Sequence, residues 1–449
     1  METRTSLTKG GLLTFVTQSA LFLFGLIASI ILARALGPVG RGAYALAILI
    51  ASVLTKVGSL GLEAANVYYG ASRKEQLHDL ISNSITVALA LGLSLTILSG
   101  AAFTLPWPRS YLQANAIPLP LLWLALVTVP MLLASGYLNS LLLSQERIVE
   151  YNATGIASIA LRLALLLVLL IGLHRGLAGA LWAYVLATLG GMLLIAYFIN
   201  RMAPLRMAFN RRLFRETLGY GIKAHVGNLA QFLNYRLDMF LIGYFLGPAA
   251  VGFYAVAVGM AERLWMIPGA LATVLFPRVS AGDEGQANAL TPKVARHTIF
   301  ITLILATGLA ILAKPLIVLL FGASFEPAVV PLLLLLPGVV ALSLSKILTS
   351  DLAGRGRPEF GAIAAWASLA VTVSLDLFLI PRWGIAGAAL ASTLAYSLAT
   401  IIVVLAFLKL SRNSWIDLLI KASDFEAYPD MLSRVMEWTR YQLFRASKG

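Results

Sequence analysis

The chain has 449 residues, of which 59% are hydrophobic and only 12% are charged, about half of the roughly 25% that is usual in soluble proteins. A soluble fold cannot hide that much apolar surface from water, so soluble enzymes, nucleic-acid-binding domains and disordered proteins are excluded. The net charge of +14 matters less than where each charge lies relative to the bilayer. The chain contains no cysteine, which excludes disulfides, thiolate metal sites and cysteine nucleophiles.

In chain order, twelve segments are apolar over the roughly 20 residues that a membrane-spanning helix needs. They are 11–35, 42–67, 80–105, 117–143, 152–173, 177–199, 217–245, 249–278, 297–320, 328–350, 359–380 and 385–408. The segments are continuously apolar rather than alternating, which favours helices over a β-barrel. The first apolar run is too long for a signal peptide, so we expect it to be retained. The sequence therefore predicts an all-α polytopic membrane protein.

Lysine and arginine residues are divided unevenly between the two sides of these segments. With the N-terminus inside, the cytoplasmic parts hold 22 of them and the opposite loops hold five, which is the bias that the positive-inside rule describes. The five are Arg34, Arg41, Arg109, Arg175 and Arg382. We therefore predict a bacterial or archaeal cytoplasmic membrane protein with both termini in the cytoplasm.

The sequence also repeats itself. LGPVGRGAYALA at 36–47 and LGPAAVGFYAVA at 246–257 are identical at seven of twelve positions, and so are GLAGALWAYVLA at 176–187 and GIAGAALASTLA at 384–395. Gly and Pro predict a tight turn in the first pair. The tyrosines that follow, Tyr44 and Tyr254, are expected to be aromatic anchors at the membrane interface.

The two repeats predict a six-helix lobe at 1–200, a second at 201–410 and a cytoplasmic amphipathic tail at 411–449. Because six is an even number, both lobes have the same orientation and are related by a pseudo-two-fold axis along the membrane normal. Transporters built in this way hold substrate in a cavity between the halves and alternate access by rocking. The alternative, that duplication only builds a stable bundle, stays open.

Charged residues inside the predicted helices are the best indicators of function, because a charge at the bilayer centre costs several kcal/mol. Apart from Arg34, Arg278 and Glu359 at the ends of segments, seven are basic and four are acidic, an excess that favours an anionic substrate. The basic residues are Lys56, Arg162, Lys223, Arg236, Arg263, Lys314 and Lys346, and the acids are Glu63, Asp238, Glu262 and Asp376. At 100° per residue, Lys223, Gln231, Asn234 and Asp238 share one arc of a helix, and Lys56 and Glu63 share a stripe on another.

Each of these residues has a structural alternative, an interhelical ion pair or a side chain that reaches the interface. We favour a cavity role for Lys56, Arg162, Lys223 and Lys346, and the structural role for Lys314, Arg263 and Asp376. The candidate lining also includes Arg236, Gln231, Asn234 and Gln18. For Glu63, Asp238, Glu262 and Arg263, ion coupling and structural ion pairing both remain open.

No nucleotide-binding, metalloprotease or serine hydrolase motif occurs, so we predict no enzyme, no catalytic residue, no metal site and no cofactor. In the tail, Ser414 and Asp417 form an N-cap pattern ahead of a short apolar run. Pro429 separates this run from a second one, and we predict two short interfacial helices there.

Three segments resemble the Wzx-type polysaccharide and O-antigen flippases. They are ARALGPVGRGAYA at 33–45, GNLAQFLNYRLD at 227–238 followed by LGPAAVGFY at 246–254, and LAGRGRP at 352–358. The resemblance covers most of residues 5–410. It implies a MATE-like fold and membership of the multidrug/oligosaccharidyl-lipid/polysaccharide exporter superfamily.

The resemblance also implies a function, the transfer of a polyprenyl-pyrophosphate-linked oligosaccharide to the outer leaflet for cell-surface polysaccharide biosynthesis. The basic excess agrees with it, because a pyrophosphate is an anion that Arg and Lys bind by charge-assisted hydrogen bonds. The implied partners are the lipid-linked oligosaccharide, membrane lipids, H⁺ or Na⁺ and polysaccharide polymerase machinery, without nucleic acid. The main alternative is a cation-coupled MATE-type multidrug exporter, and a glycan polymerase or a scaffold is a third.

Overall fold

The computed structural model describes residues 7–73, 76–421 and 424, with side chains from residue 17 onward. These residues are almost entirely helical, and none of them forms a β-strand. The predicted all-α polytopic architecture is therefore confirmed. The apolar residues that pack against one another are distributed along the whole length of the bundle.

Sixteen α-helices follow one another in the described part of the chain. They are α1 (Leu7–Gly58), α2 (Leu62–Ser72), α3 (Leu77–Ala102), α4 (Pro106–Ala114), α5 (Leu119–Leu126), α6 (Thr128–Ser144), α7 (Ile148–Leu166), α8 (Gly176–Asn200), α9 (Arg211–Asn234), α10 (Leu237–Leu246), α11 (Pro248–Ala261), α12 (Met266–Ala281), α13 (Glu284–Ile311), α14 (Ala313–Phe321), α15 (Val329–Gly354) and α16 (Glu359–Ser411). A π-helix, Leu167–Gly172, prolongs α7, and short 3₁₀ turns occupy Glu262–Trp265, Ala323–Ala328 and Trp415–Leu418.

Nine helical segments of the described chain are long and apolar enough to cross a membrane. Two of the helices, α1 and α16, have 52 and 53 residues, about 78 Å at 1.5 Å per residue, whereas the apolar core of a bilayer is about 30 Å thick. Each is interrupted by a glycine with non-helical backbone, Gly37 in α1 and Gly384 in α16, so each provides two crossings. The pair α9–α10 is long enough for another, although its first half is polar. The fold is consistent with the twelve predicted crossings.

Equivalent glycines of the two sequence repeats have similar backbone dihedral angles. Gly37 and Gly247 have φ/ψ of 66/−179° and 79/−176°, and Gly176 and Gly384 have φ of 54° and 60°. Positive φ is a conformation that glycine adopts without steric cost. Proline then begins α11 at Pro248. The predicted turns of the repeated motif are therefore present in both copies with the same geometry.

The two copies of the motif also pack against each other. A Cβ on Gly42 would lie 1.7 Å from the carbonyl oxygen of Pro248, and a Cβ on Gly252 would lie 2.1 Å from that of Pro38. Only glycine permits so close an approach of two helix backbones. The contact is reciprocal, which is what a two-fold relation between equivalent segments predicts.

Two predicted helices are broken where the sequence analysis expected continuity. Leu60 and Gly61 have φ of 48° and 72° and separate α1 from α2, so Lys56 and Glu63 do not share one helical stripe. Arg236, with φ of −135°, separates α9 from α10, so Asp238 does not share a helix with Lys223. The predicted stripe of Lys56 and Glu63 was therefore wrong, and so was the inclusion of Asp238 in the other arc, because apolar content does not reveal a local change of backbone direction. Lys223, Gln231 and Asn234 remain together on α9.

The first part of the tail is fixed to the bundle. The predicted cap is confirmed, since Ser414 and Asp417 form a capping box, although the helix that follows is a single 3₁₀ turn. Arg296 of α13 donates to both carboxylate oxygens of Asp424 at 2.6 and 2.8 Å, and this pair lowers the pKa of Asp424 to about 2. The second predicted tail helix lies outside the described residues.

Candidate substrate-binding site

A cluster of cations and aromatic rings lies where α1, α7 and α8 meet. Arg162 of α7 donates from Nη2 to the hydroxyl of Tyr44 at 2.8 Å, and its guanidinium carbon lies 5.4 Å from the ring centre of Tyr184. On the same Tyr44 ring, the guanidinium carbon of Arg41 lies 6.0 Å from the centroid. These distances are within the range of cation–π attraction.

A third arginine completes the cluster. Arg263 lies 5.5 Å from the ring centre of Phe22 and donates to the Gly259 carbonyl, and it acts electrostatically on Arg41 together with Arg162. Within the described chain, none of the three arginines forms an ion pair. The Nε atoms of Arg41 and Arg162 are buried without a hydrogen-bond partner. We call these three residues the arginine cluster.

Two further cations extend this basic region into the α9–α12 part of the bundle. The ammonium of Lys346 lies 4.9 Å from the ring centre of Trp265 and 5.8 Å from that of Tyr235. Arg236 forms a bidentate ion pair with Glu262, with distances of 2.7 and 3.0 Å. The sequence left open which charge Glu262 would meet, and the structure pairs it with Arg236.

Two buried carboxyl groups lie next to this region, where Arg236 and Glu262 act electrostatically on Asp238. Asp238 is 1% exposed and accepts from the Tyr254 hydroxyl at 2.6 Å, from the Met239 amide at 2.7 Å and from Ser392 at 3.5 Å. Asp376 is fully buried, neither of its oxygens has a hydrogen-bond partner, and it lies close enough to interact electrostatically with Asp238. We call Asp238 and Asp376 the carboxyl pair.

A cavity of about 600 Å³ opens beside these groups, between α2, α9, α15 and the first part of α16. Its size lies within the range of small-molecule sites. The polar lining carries one cation, Lys223, and one acid, Glu359, together with the amides and hydroxyls of Tyr220, Asn228, Gln231, Tyr235 and Ser345. Such groups can hydrogen-bond the hydroxyls of a sugar.

The predicted site residues therefore fall into separate groups. Lys223 and Gln231 are exposed to the cavity. Asn234 also borders it, but its amide donates to Ser368 and accepts from Thr372, which ties α9 to α16.

Three other predicted residues lie elsewhere. Lys56 is half-buried and acts electrostatically on His225, the carboxylate of Glu63 packs against Gly136, and Gln18 is exposed. The structure does not bring these three residues together with the arginine cluster.

Several expectations about individual residues were wrong. Tyr44 and Tyr254 are 3% and 0% exposed and bind charged partners, so they are not interfacial anchors. Asp376 has no ion-pair partner and is buried instead of reaching the interface. Arg41, assigned to an outer loop, is helical and belongs to the arginine cluster. For Lys314 the structural expectation is confirmed by its 2.7 Å ion pair with Glu326.

One signal in the sequence could have indicated these tyrosines and Arg41. Tyr44 and Tyr254 are equivalent residues of the repeated motif, and Arg41 is one helical turn before Tyr44, on the same helix face. Nothing in the sequence identifies Arg162 as their partner, because that contact joins residues 118 positions apart.

The fold and the site together define a polytopic membrane protein of MATE-like architecture with a basic, aromatic-lined interior. A profile of the family described as "Polysaccharide biosynthesis protein" matches residues 31–330, more than half of the chain. The chain belongs to this family, as its motifs indicated.

Individual comparisons agree with this assignment. A protein of Haloferax volcanii named "Probable low-salt glycan biosynthesis flippase" is 23% identical over 225 residues, 49% of this chain and 48% of the relative. The chain spans about half the length of the first curated relatives that it matches. A solved structure described as "Lipid II flippase MurJ, inward closed conformation" aligns with a TM-score of 0.76 and 17% identity over 98% of this chain and 100% of that one. The inward-facing structure of a MATE multidrug transporter aligns with a TM-score of 0.74 and 15% identity, over 87% of this chain and 94% of that one.

Proposed function

We propose that this protein carries a polyprenyl-pyrophosphate-linked oligosaccharide from the inner to the outer leaflet of the cytoplasmic membrane, by alternating access between its two lobes and without catalysing a covalent reaction. The observation that carries the proposal is the arginine cluster, three cations with no ion-pair partner among the described residues. The family membership and the names of the glycan flippase and the lipid II flippase support it.

The physical argument concerns the free energy of the empty site. Burying an ion costs several kcal/mol unless a partner compensates it, and three neighbouring cations also repel one another. The nearby tyrosine and phenylalanine rings offset only part of this cost, at about 0.5–2 kcal/mol for each contact. A diphosphate provides several charged oxygens that guanidinium groups bind through strong, bidentate hydrogen bonds. The site therefore favours a polyanionic headgroup.

The cavity lined by Lys223, Gln231 and Tyr220 would bind the glycan. It adjoins the basic region through Tyr235, which lines the cavity and also contacts Lys346. An oligosaccharide attached to a pyrophosphate at the arginine cluster could thus place its sugars against amides and hydroxyls, while the polyprenyl tail remains in lipid.

The carboxyl pair is the proposed site of ion coupling by H⁺ or Na⁺. Two buried carboxyl groups that act on each other electrostatically favour uptake of a cation or a proton, because burial and like charge both disfavour keeping the two groups ionised together. Binding of either ion would therefore change the local charge, and a transporter can couple that change to the opening of one face.

The proposal includes a setting for the protein. It is the cytoplasmic membrane of a bacterium or archaeon with both termini in the cytoplasm, which the lysine and arginine bias supports, and the proposed lobes are residues 1–200 and 201–410. After transfer, the oligosaccharide would meet polysaccharide polymerase machinery on the outer side. A cation-coupled drug exporter is the second candidate, because the carboxyl pair could bind a cationic drug, but the arginine cluster would repel it.

A binding experiment tests the proposal directly. Farnesyl pyrophosphate is titrated into the full-length protein in nanodiscs, and farnesol serves as the uncharged comparison. Wild type should bind the pyrophosphate selectively, and Arg162→Gln or Arg263→Gln should weaken binding about 10-fold to 100-fold, since a hydrogen bond to a charged group contributes about 1.5–3 kcal/mol.

The matched control is Arg382→Gln, which removes an exposed arginine that contacts Phe378 and lies outside the cluster. The affinity of the Arg382→Gln variant for farnesyl pyrophosphate should equal that of wild type. Equal binding of farnesol and farnesyl pyrophosphate, or unchanged affinity in the two cluster variants, would rule out the cationic headgroup site.

A further inference from the structure

Equivalent residues of the two repeats surround charges of opposite sign. In the first copy, Tyr44 and Tyr184 contact Arg162. In the second copy, the residues that align with them are Tyr254 and Ser392, and both contact Asp238. Duplicated positions therefore contact a cation side chain in one copy and a carboxylate in the other, and the two charged residues come from helices that are not equivalent, α7 and α10.

In the first copy, the tyrosine orients the arginine. The hydroxyl of Tyr44 accepts from one terminal nitrogen of Arg162 at 2.8 Å, and the ring of Tyr184 flanks the guanidinium. The Nε of Arg162 has no partner. Tyr44 thus fixes one edge of the guanidinium and leaves hydrogen-bonding capacity for an anion.

In the second copy, the tyrosine orients the carboxylate. The hydroxyl of Tyr254 donates to Oδ2 of Asp238 at 2.6 Å, while Oδ1 accepts from the backbone of Met239 at 2.7 Å. Both oxygens of Asp238 are therefore held, and the neighbouring Asp376 has no hydrogen-bond partner. Tyr254 fixes one member of the carboxyl pair relative to the other.

We propose that Tyr44 and Tyr254 are a pair of positioning residues with separate roles, Tyr44 for the anionic headgroup and Tyr254 for the coupling cation. The inference rests on the proposed function and adds to it the residues that orient each binding group. Neither tyrosine needs to touch the substrate or the ion, because each acts through the charged side chain that it holds.

The packing of the repeats links the two sites mechanically. Tyr44 follows Gly42 by two residues and Tyr254 follows Gly252 by two residues, and these glycines form the reciprocal backbone contact between α1 and α11. A change in the crossing of the two helices would therefore displace both tyrosines at once. Since α1 also carries Arg41, this provides a route by which an ion at the carboxyl pair displaces the arginine cluster through the helix itself, independently of the Tyr44 hydroxyl.

The test compares Tyr44→Phe and Tyr254→Phe in full-length protein in nanodiscs, by titrating farnesyl pyrophosphate at a series of Na⁺ concentrations and pH values. Tyr44→Phe should lower the affinity for farnesyl pyrophosphate about tenfold at every ion concentration and leave the ion dependence unchanged. Tyr254→Phe should keep the affinity at saturating ion and shift the ion concentration of half-maximal effect about tenfold.

Tyr111→Phe is the control, since its hydroxyl donates only to the backbone carbonyl of Phe240, and both quantities should match wild type. If Tyr44→Phe and Tyr254→Phe change both the affinity and the ion dependence alike, or if neither variant changes either quantity, the separate positioning roles are overturned. The separate positioning roles are also overturned if the affinity of wild type for farnesyl pyrophosphate does not depend on Na⁺ or pH. If wild type does not bind farnesyl pyrophosphate at all, it is the proposed function that fails.

Discussion

At the scale of single residues, the charges that lack partners are more informative than those that have them. Asp351 and Asp376 are both fully buried aspartates. Asp351 is paired with Arg355 at 2.6 Å and accepts from Thr291 at 2.6 Å, whereas Asp376 has no hydrogen-bond partner. A buried and partnered carboxylate serves the structure, while an isolated one persists against its own desolvation cost. This contrast separates the proposed coupling group from the structural ones.

We expect opposite effects on stability when each carboxylate is neutralised. In Na⁺-free buffer at alkaline pH, where neither a proton nor a cation would neutralise the wild-type carboxylate, Asp376→Asn should raise the free energy of unfolding by about 1–3 kcal/mol, because an uncompensated buried charge is removed. It should also abolish stabilisation by added Na⁺ or by acid, since a ligand stabilises only the state that binds it. Thermal unfolding of the purified protein measures both effects.

Asp351→Asn is the matched comparison and should lower the free energy of unfolding by about 3–5 kcal/mol, since it leaves Arg355 without its partner. The coupling role of Asp376 is contradicted if its Asn variant is destabilised as Asp351→Asn is, and keeps the ion response of wild type.

At the scale of elements, the glycines of the repeated motif determine how the helices meet. A Cβ at Gly42 would overlap a backbone carbonyl of the opposite repeat, whereas nothing lies within 4 Å of a Cβ at Gly308 in α13. Gly42→Ala should therefore lower the free energy of unfolding by about 2 kcal/mol or more, because the crossing helices must separate. Gly308→Ala should be neutral or stabilising by about 1 kcal/mol, as alanine is the better helix former.

Thermal unfolding in the same detergent compares the two glycine variants. A Gly42→Ala protein as stable as wild type would mean that the close approach of α1 and α11 is not required for the fold.

The sequence predicted the positions of helices well, because these depend on apolar composition. It predicted the breaks within helices less well, because these depend on contacts with other helices. Long apolar runs and the repeated Leu-Gly-Pro turns indicated the helices and the parallel duplication. The breaks at Leu60–Gly61 and at Arg236 were not predicted, because they depend on packing against other helices. For the same reason the basic excess pointed to an anion, but not to the particular combination of Arg41, Arg162 and Arg263, whose partners are distant in the chain.

At the scale of the whole molecule, the duplicated sequence motif contributes Tyr44 to the arginine cluster and Tyr254 to the carboxyl pair. The proposed flippase uses the first for the pyrophosphate of its cargo and the second for a coupling ion, with the reciprocal glycine contact between them. A scaffold would have no need for half-buried arginines without ion-pair partners, and the arginine cluster would repel the cationic drug of an exporter.

Transfer between leaflets is the most direct measurement of this account. The full-length protein is reconstituted in liposomes with a fluorescent, polyprenyl-pyrophosphate-linked saccharide in one leaflet, and the appearance of the saccharide in the other leaflet is followed under a Na⁺ or H⁺ gradient. Wild type should transfer the lipid, Arg162→Gln should not, and Arg382→Gln should behave as wild type does. Absence of transfer by wild type in liposomes where it exports a cationic drug would contradict the account.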